Sequence, residues 1–184
     1  MKIIDLPASD QEIINQTANL LVAGFKEHWP NAWNDMEAAL EEVRESLEES
    51  RISRIAVGDD GCVLGWIGAI PEYDGHAWQL HPLVVHPDHQ KAGIGRALVQ
   101  DLEKMIGQQG GITIYLGSDD EDDMTSLAGI DLYPDVYQHI ANITDFKGHP
   151  YRFYQKMGFV IVGVIPDANG PGKPDILMAK RVSR

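Results

Sequence analysis

Two stretches of this sequence combine residue types that could do chemistry. The first is Gln90-Lys91-Ala92-Gly93-Ile94-Gly95-Arg96. Closely spaced glycines let a backbone turn tightly and bring its N–H groups up to a ligand, and a helix start adds partial positive charge. Lys91 and Arg96 add formal charge, so the segment suits a pyrophosphate. It lacks the Gly-Lys-Ser/Thr of a P-loop and the G-x-G-x-x-G spacing of a dinucleotide fingerprint. An ordinary strand-to-helix connection has the same composition, and the loop alone does not separate the two. The second stretch is the acidic run Asp119-Asp120-Glu121-Asp122-Asp123. Carboxylates at that density suit a polycationic ligand, and a solvated turn is the plain alternative. Tyr151, Phe153 and Tyr154 read equally as an aromatic core cluster or as a reactive phenol with ring neighbours. The histidines at 76, 81, 86 and 89 invite a metal. His81 and His86 would point to opposite faces of one strand, however, and no carboxylate or cysteine stands beside them at ligand spacing, so no metal is expected.

Composition narrows the choice. With 15 Lys+Arg against 28 Asp+Glu, the 184-residue chain carries a net charge of −13. So acidic a protein is a poor partner for nucleic acid or an anionic membrane, and a better one for cationic small molecules or basic proteins. Cys62 is the only cysteine, which excludes an intrachain disulfide and a thiolate metal cage. The apolar run at Met1-Lys2-Ile3-Ile4-Asp5 is too short for a signal peptide, and no window is long enough to span a membrane. The expectation is one cytoplasmic domain over 1–184, with enough apolar residues (43%) for a real core.

Periodicity supplies the elements. Helical spacing runs over 9–29, with Ser9 as N-cap and Pro30 as the stop, and again over 33–50, where one face is acidic and reads as solvated. Strands are expected at 52–57 and 62–70, joined by a turn at Gly58-Asp59-Asp60-Gly61, and at 78–85. A helix follows Gly93 and Gly95 and stops at Gly110-Gly111. A strand at 112–116, a helix near 135–145, a short helix at 150–157, and strands at 159–165 and 175–180 complete a mixed α/β sheet. Alternation in the third strand puts Gln79, His81, Leu83 and Val85 on one face. Pro82 has no N–H to give a fully paired strand, so a bulge or splay is expected there.

The spacing Gln90-x-x-Gly93-x-Gly95 after Val84-Val85, with Tyr151-Arg152-Phe153-Tyr154-Gln155-Lys156-Met157-Gly158-Phe159, resembles the GNAT acetyltransferase superfamily. Further segments are similar to its aminoglycoside 6′-N-acetyltransferases: Ile67-Gly68-Ala69-Ile70-Pro71, Leu80-His81-Pro82-Leu83-Val84-Val85, Gly110 to Gly117, His149-Pro150-Tyr151, Val162-Gly163-Val164, Ala168-Asn169-Gly170 and Pro174-Asp175-Ile176. The resemblance implies a GNAT fold, with a sheet splayed at the third strand and helices on both faces, and acetyl-CoA as co-substrate, attacked directly by an amine. By similarity, the Leu83 N–H polarises the acetyl carbonyl, Val85 pairs with the pantetheine arm, and Gln90 through Arg96 hold the pyrophosphate. Tyr154 protonates the leaving thiolate, and from the ordinary pKa values of a thiol (~8.5) and a phenol (~10) no large shift is needed. Asp119, Asp120 and Asp122 line the acceptor cleft, with Trp29 on the first helix and Tyr73 packing on the acceptor. The relatives have a glutamate where this chain has Gln79, which cannot accept a proton. His81 is the other candidate base, since imidazole ordinarily titrates near ~6.5. An antibiotic-resistance enzyme acting as a homodimer is what the resemblance implies. The alternatives are a GNAT enzyme for another amine (a polyamine, an amino sugar, a protein lysine) and a non-catalytic acyl-CoA-binding module.

Overall fold

β-Branched and aromatic residues at 52–57 and 63–72 form two strands around the expected tight turn. There Gly58 N–H donates to Cys62 O at 2.9 Å, and Gly61 adopts φ +86°, a conformation that favours glycine. The computed structural model describes residues 1–27, 29 and 32–182, in two compact units: Met1–Ile112 with Val182, and Thr113–Arg181.

In the first unit four antiparallel strands stand in the order β1 (Lys2–Asp5), β2 (Ile52–Val57), β3 (Val63–Glu72) and β4 (Ala77–Val85). Periodicity does not reveal β1. It is four residues long and exists through its pairing with β2, from Lys2↔Val57 to Asp5↔Arg54. The first helix is shorter than its apolar pattern. α1 covers Gln11–Phe25, and Asp10, not Ser9, caps it by accepting from the Glu12 and Ile13 N–H groups. The helix starts one residue later than expected, so Asp10 holds the cap position, where its carboxylate also faces the positive end of the helix. Pro30, the expected stop, lies outside the described residues. α2 covers Met36–Glu45, again capped by an aspartate, Asp35.

α1 and α2 cover one face of this sheet. Leu21, Ala18, Ala39 and Val43 pack with Ile55, Trp66 and Val84, all nearly or fully buried. α3 (Ile94–Gln108) covers the other face with Leu98, Leu102 and Ile106, each fully buried. Burying one such side chain contributes about 1.5–3 kcal/mol. Arg54 ties α3 to the sheet, donating to Asp101 at 2.7 Å and to Asp5 at 2.5 Å.

The interruption at Pro82 is a bulge. Ile67 faces Leu83 and Ala69 faces Leu80, so Gly68 alone stands opposite His81 and Pro82. One extra residue inverts the alternation beyond it. Trp78 lies on the α3 side, beside Gly111 and Ile106, while His81 reaches α2. Past the bulge Val84 packs under α1, and Val85 pairs with Gly65, which faces Leu98 and Ile94 of α3. Gln79 and His81 therefore share the α1/α2 face, whereas Leu83 and Val85 turn toward α3. This corrects the expectation of one common face. The burial rhythm along β4 still alternates without a break, which is why the pattern conceals the inversion.

In the second unit β5 (Thr113–Asp119), β7 (Asp175–Arg181) and β6 (Val160–Ile165) pair antiparallel in the order β5-β7-β6, with α4 (Val136–Ala141) and α5 (Tyr151–Lys156) between β5 and β6 in sequence. β5 runs on into the acidic run, and Asp119 pairs with Asp175 as its last residue.

Candidate active site

The backbone of β4 offers donors beyond its bulge. His86 N–H donates to Leu64 O at 2.9 Å. Bonded and non-bonded pairs alternate in an antiparallel ladder, so Trp66↔Val84 is the next bonded pair, and Leu83 and Val85 direct their N–H groups away from β3. Two N–H groups two residues apart on one strand edge can hold a carbonyl and an amide oxygen in sequence.

Ten residues on, the chain makes the predicted cradle. Lys91 and Gly93 take φ +62° and +89°, and Gly93 is the N-cap of α3 without a side-chain cap. Left-handed residues turn successive N–H groups outward, and the uncapped α3 N-terminus points the same partial charge at whatever binds. Lys91, Ala92, Gly93 and Arg96 are exposed, Gly95 is half-buried, and Ile94 is buried as the anchor. Gln90 Nε2 lies 3.5 Å from Val85 O, linking the loop to β4. This chemistry fits a pyrophosphate.

On the α1/α2 face of β4, His81 Nε2 stands 3.5 Å from Glu42 Oε1, and the His81 ring lies 5.8 Å from that of Trp33. Burial works against ionising Glu42. The His81 contact, Trp33 and the Arg51 charge outweigh it and hold the carboxyl below its ordinary value. Trp29 follows α1 rather than lying on it. Its N–H donates to Phe25 O, and its ring is 5.7 Å from that of Phe25. Tyr73 is 76% exposed in the turn between β3 and β4.

In the second unit, Tyr154 on α5 is buried between Phe153 and Phe159, with ring centroids 5.1 and 5.5 Å away. Burial pushes its phenol well above the ordinary tyrosine value. This corrects the expectation of a near-ordinary phenol: Tyr154 stays neutral, and full proton transfer to a thiolate is uphill by about 1.4 kcal/mol for each unit of mismatch. His149 sets the start of α5. Its Nδ1 accepts from Tyr151 N–H at 3.1 Å, so Nε2 carries the proton and donates to Asp119 O at 3.0 Å. Burial lowers the pKa of this imidazole against the pull of Asp119, Asp120 and Asp145.

The acidic run divides by function. Asp120 is fully buried, and its two oxygens accept from Met124 N–H at 2.7 Å and Thr125 N–H at 2.8 Å. It builds the loop, which corrects its expected place on the cleft surface. Asp119 accepts from Asn169 Nδ2 at 2.5 Å and stands against Asp175. Asp122 is exposed, and its backbone oxygen accepts from Lys147 Nζ at 2.6 Å. Burial first, and the Asp119 charge second, push the Asp175 carboxyl up to about 6.

The acetyltransferase (GNAT) family is matched over residues 14–133, close to two-thirds of the chain. This chain belongs to the GNAT acetyltransferase family. Two solved structures resemble this acetyltransferase at 42% identity over 100% of its length and 98% of theirs. They are an aminoglycoside 6′-N-acetyltransferase complexed with coenzyme A (TM-score 0.92) and the aminoglycoside 6′-N-acetyltransferase from Enterococcus faecium (TM-score 0.89). An aminoglycoside 6′-acetyltransferase type Ii is 38% identical over 100% of this chain and 99% of its own, with TM-score 0.75. Among curated proteins no match is found. The fold of the chain is the GNAT fold, in the α/β class, as the resemblance implies.

Three residues of this acetyltransferase escape the sequence reading. Glu42 looks like one of many solvated acids. His149 and Asp175 appear only inside segments of resemblance, and their hydrogen-bond and charge partners lie some 30 to 56 positions away, at Asp119. Among the described residues no group of three or more His, Cys, Asp or Glu could hold a metal, and no helix is long and apolar enough to cross a membrane.

Proposed function

We propose that this chain transfers the acetyl group of acetyl-CoA to the 6′-amine of an aminoglycoside, the amine attacking directly while both substrates are bound. The observation that carries this reading is the match to enzymes of that description along the whole chain at 42% identity. Gln90, Lys91, Ala92, Gly93, Ile94, Gly95 and Arg96 would hold the pyrophosphate. The Leu83 N–H would receive the thioester oxygen, and Val85 the pantetheine arm. Tyr154 would donate to the departing sulfur. Trp29, Tyr73, Gln79, Asp119 and Asp122 would meet the cationic acceptor, with His81 as base. Both units would serve one enzyme, since the solved relatives are matched over all of it. The apolar side chains Val160 and Val162, exposed on edge strand β6, support a homodimer.

Gln79 favours a second reading, a GNAT enzyme for another basic amine, because a neutral amide holds an ammonium less strongly than a carboxylate.

The test is thiol release from acetyl-CoA with kanamycin or tobramycin, compared with Leu83→Pro, which deletes the proposed oxyanion donor. Losing one such donor lowers kcat by about 10²–10³-fold. Wild-type rates no higher than those of Leu83→Pro would overturn the reading. Thiol release with spermidine or a lysine peptide, but not with kanamycin, would favour the second.

A further inference from the structure

The bulge at Pro82 keeps His81 turned toward α2, and α2 turns one carboxylate toward it. Asp35, Glu37, Glu41, Glu45, Glu48 and Glu49 are exposed, as a solvated face requires. Glu42 differs: its side chain is 18% exposed and stands beside a His81 side chain that is 39% exposed. We propose that Glu42 is a positioning residue for acetyl transfer, taking the Nε2–H of His81 so that Nδ1 presents its lone pair to the acceptor amine. This rests on the acetyltransferase reading above.

Four observations support it. The Nε2–Oε1 separation of 3.5 Å is an ion-pair distance at the outer edge of hydrogen-bond reach, and such contacts commonly tighten when substrate binds. Glu42 is held ionised, so it accepts rather than donates. Trp33 stands beside both groups, its ring 5.8 Å from the imidazole and its side chain hydrogen-bonded to Glu42. Gln79 shares the face but cannot take a proton, which leaves His81 as the basic group of β4 there. The groups around His81 are Glu42 from α2, with Arg51 acting on Glu42; Trp33 from the segment before α2; Gln79 from β4; and Gly68 of β3 opposite the bulge.

The step balances. The acceptor's ammonium gives one proton to Nδ1, and the imidazolium is paired by Glu42. The freed nitrogen lone pair forms the C–N bond at the thioester carbonyl as the C–S bond breaks. The second amine proton ends on sulfur, and the imidazolium returns its proton to water. A carboxylate behind an imidazole fixes tautomer and orientation and favours the cation as it forms.

The experiment compares wild type, Glu42→Gln, Glu42→Asp, His81→Asn and the Glu42→Gln/His81→Asn double variant. Thiol release with kanamycin is followed from about pH 5.5 to 9, and imidazole ¹⁵N shifts are read by NMR on the folded proteins. Glu42→Gln is expected to lower kcat/KM for the amine about tenfold, less than the roughly 10²–10⁴-fold that a positioned base itself contributes, because Glu42 acts only through His81. It should leave KM for acetyl-CoA unchanged. Glu42→Asp should recover part of the loss, and Glu42→Gln should add nothing in the His81→Asn background. The NMR spectrum should show the Nε2–H tautomer in wild type and a mixture in Glu42→Gln. Additive losses in the double variant, or a tautomer indifferent to Glu42→Gln, would overturn the proposal. Absence of kanamycin turnover in wild type with the tautomer change intact would sink the aminoglycoside reading and leave the His81–Glu42 pair standing.

Discussion

Asp175 carries a cost that the fold accepts at one residue. Its Oδ1 is buried with no hydrogen-bond partner among the described residues, and its carboxyl is pushed up to about 6 by burial and then by Asp119. An unfolded aspartate titrates near ~3.9, so between about pH 4 and 6 the folded chain holds the proton that the unfolded chain has released. The contribution of Asp175 to stability therefore falls as pH rises through that window, and its penalty is complete above about 6. Asp175→Asn should raise Tm by about 2–4 °C at pH 7.5 and by less at pH 4.5, read in thermal melts at the two values. Equal shifts at both would show that ionisation is not the cause.

At the scale of the element, the bulge in β4 positions the site. It needs Gly68, because a Cβ there would stand 2.4 Å from His81 O and 3.4 Å from Pro82 Cδ. The obstacle is backbone, which cannot rotate aside as a flexible side chain can. Gly68→Ala is expected to destabilise the protein by about 1–3 kcal/mol through overpacking. It should also raise KM for acetyl-CoA, since β4 must shift and carry the Leu83 and Val85 N–H groups with it. Denaturant unfolding together with steady-state kinetics checks both. A variant with wild-type KM and stability would show that the bulge does not depend on this close approach. α2 illustrates the same dependence of site on element, since a helix whose exposed acids serve solubility delivers Glu42 to the one histidine that β4 turns toward it.

Across the whole molecule the net charge of −13 acts on two ligands of opposite sign. The acceptor is proposed to be cationic, and Asp119, Asp122 and Asp175 stand at the ends of β5 and β7 or just past them. The anionic co-substrate is instead proposed to meet Lys91, Arg96 and the uncapped α3 N-terminus. KM for an aminoglycoside should therefore rise several-fold as salt goes from ~20 to ~300 mM, over which the screening length falls below about 10 Å. KM for acetyl-CoA should rise less, because the salt that weakens its attraction to Lys91 and Arg96 also relieves its repulsion by the net charge of −13. Steady-state kinetics across that series decides the point, and an aminoglycoside KM indifferent to salt would refute an electrostatic role for the acidic residues.

The sequence alone determined the parts that are local or linear. The strand Ile52–Val57, the turn at 58–61, the helix after Gly93 and its stop at Gly110 follow from side-chain period and from backbone conformations that glycine favours. The glycine loop at 90–96 is legible for the same reason, being one continuous segment. Tertiary structure decided whatever depends on a distant partner. β1 exists only against β2. The facing of Leu83 and Val85 turns on one extra residue, which the unbroken burial rhythm hides. Asp120 and Asp122 are two positions apart and chemically identical in sequence, yet one is buried under its own loop and the other is exposed. Glu42 became distinct from six neighbouring acids only when His81 was brought to it across 39 residues of chain. Periodicity reports which side of an element is apolar. Which polar group meets which is fixed by packing between elements, and the chemistry of this site resides there.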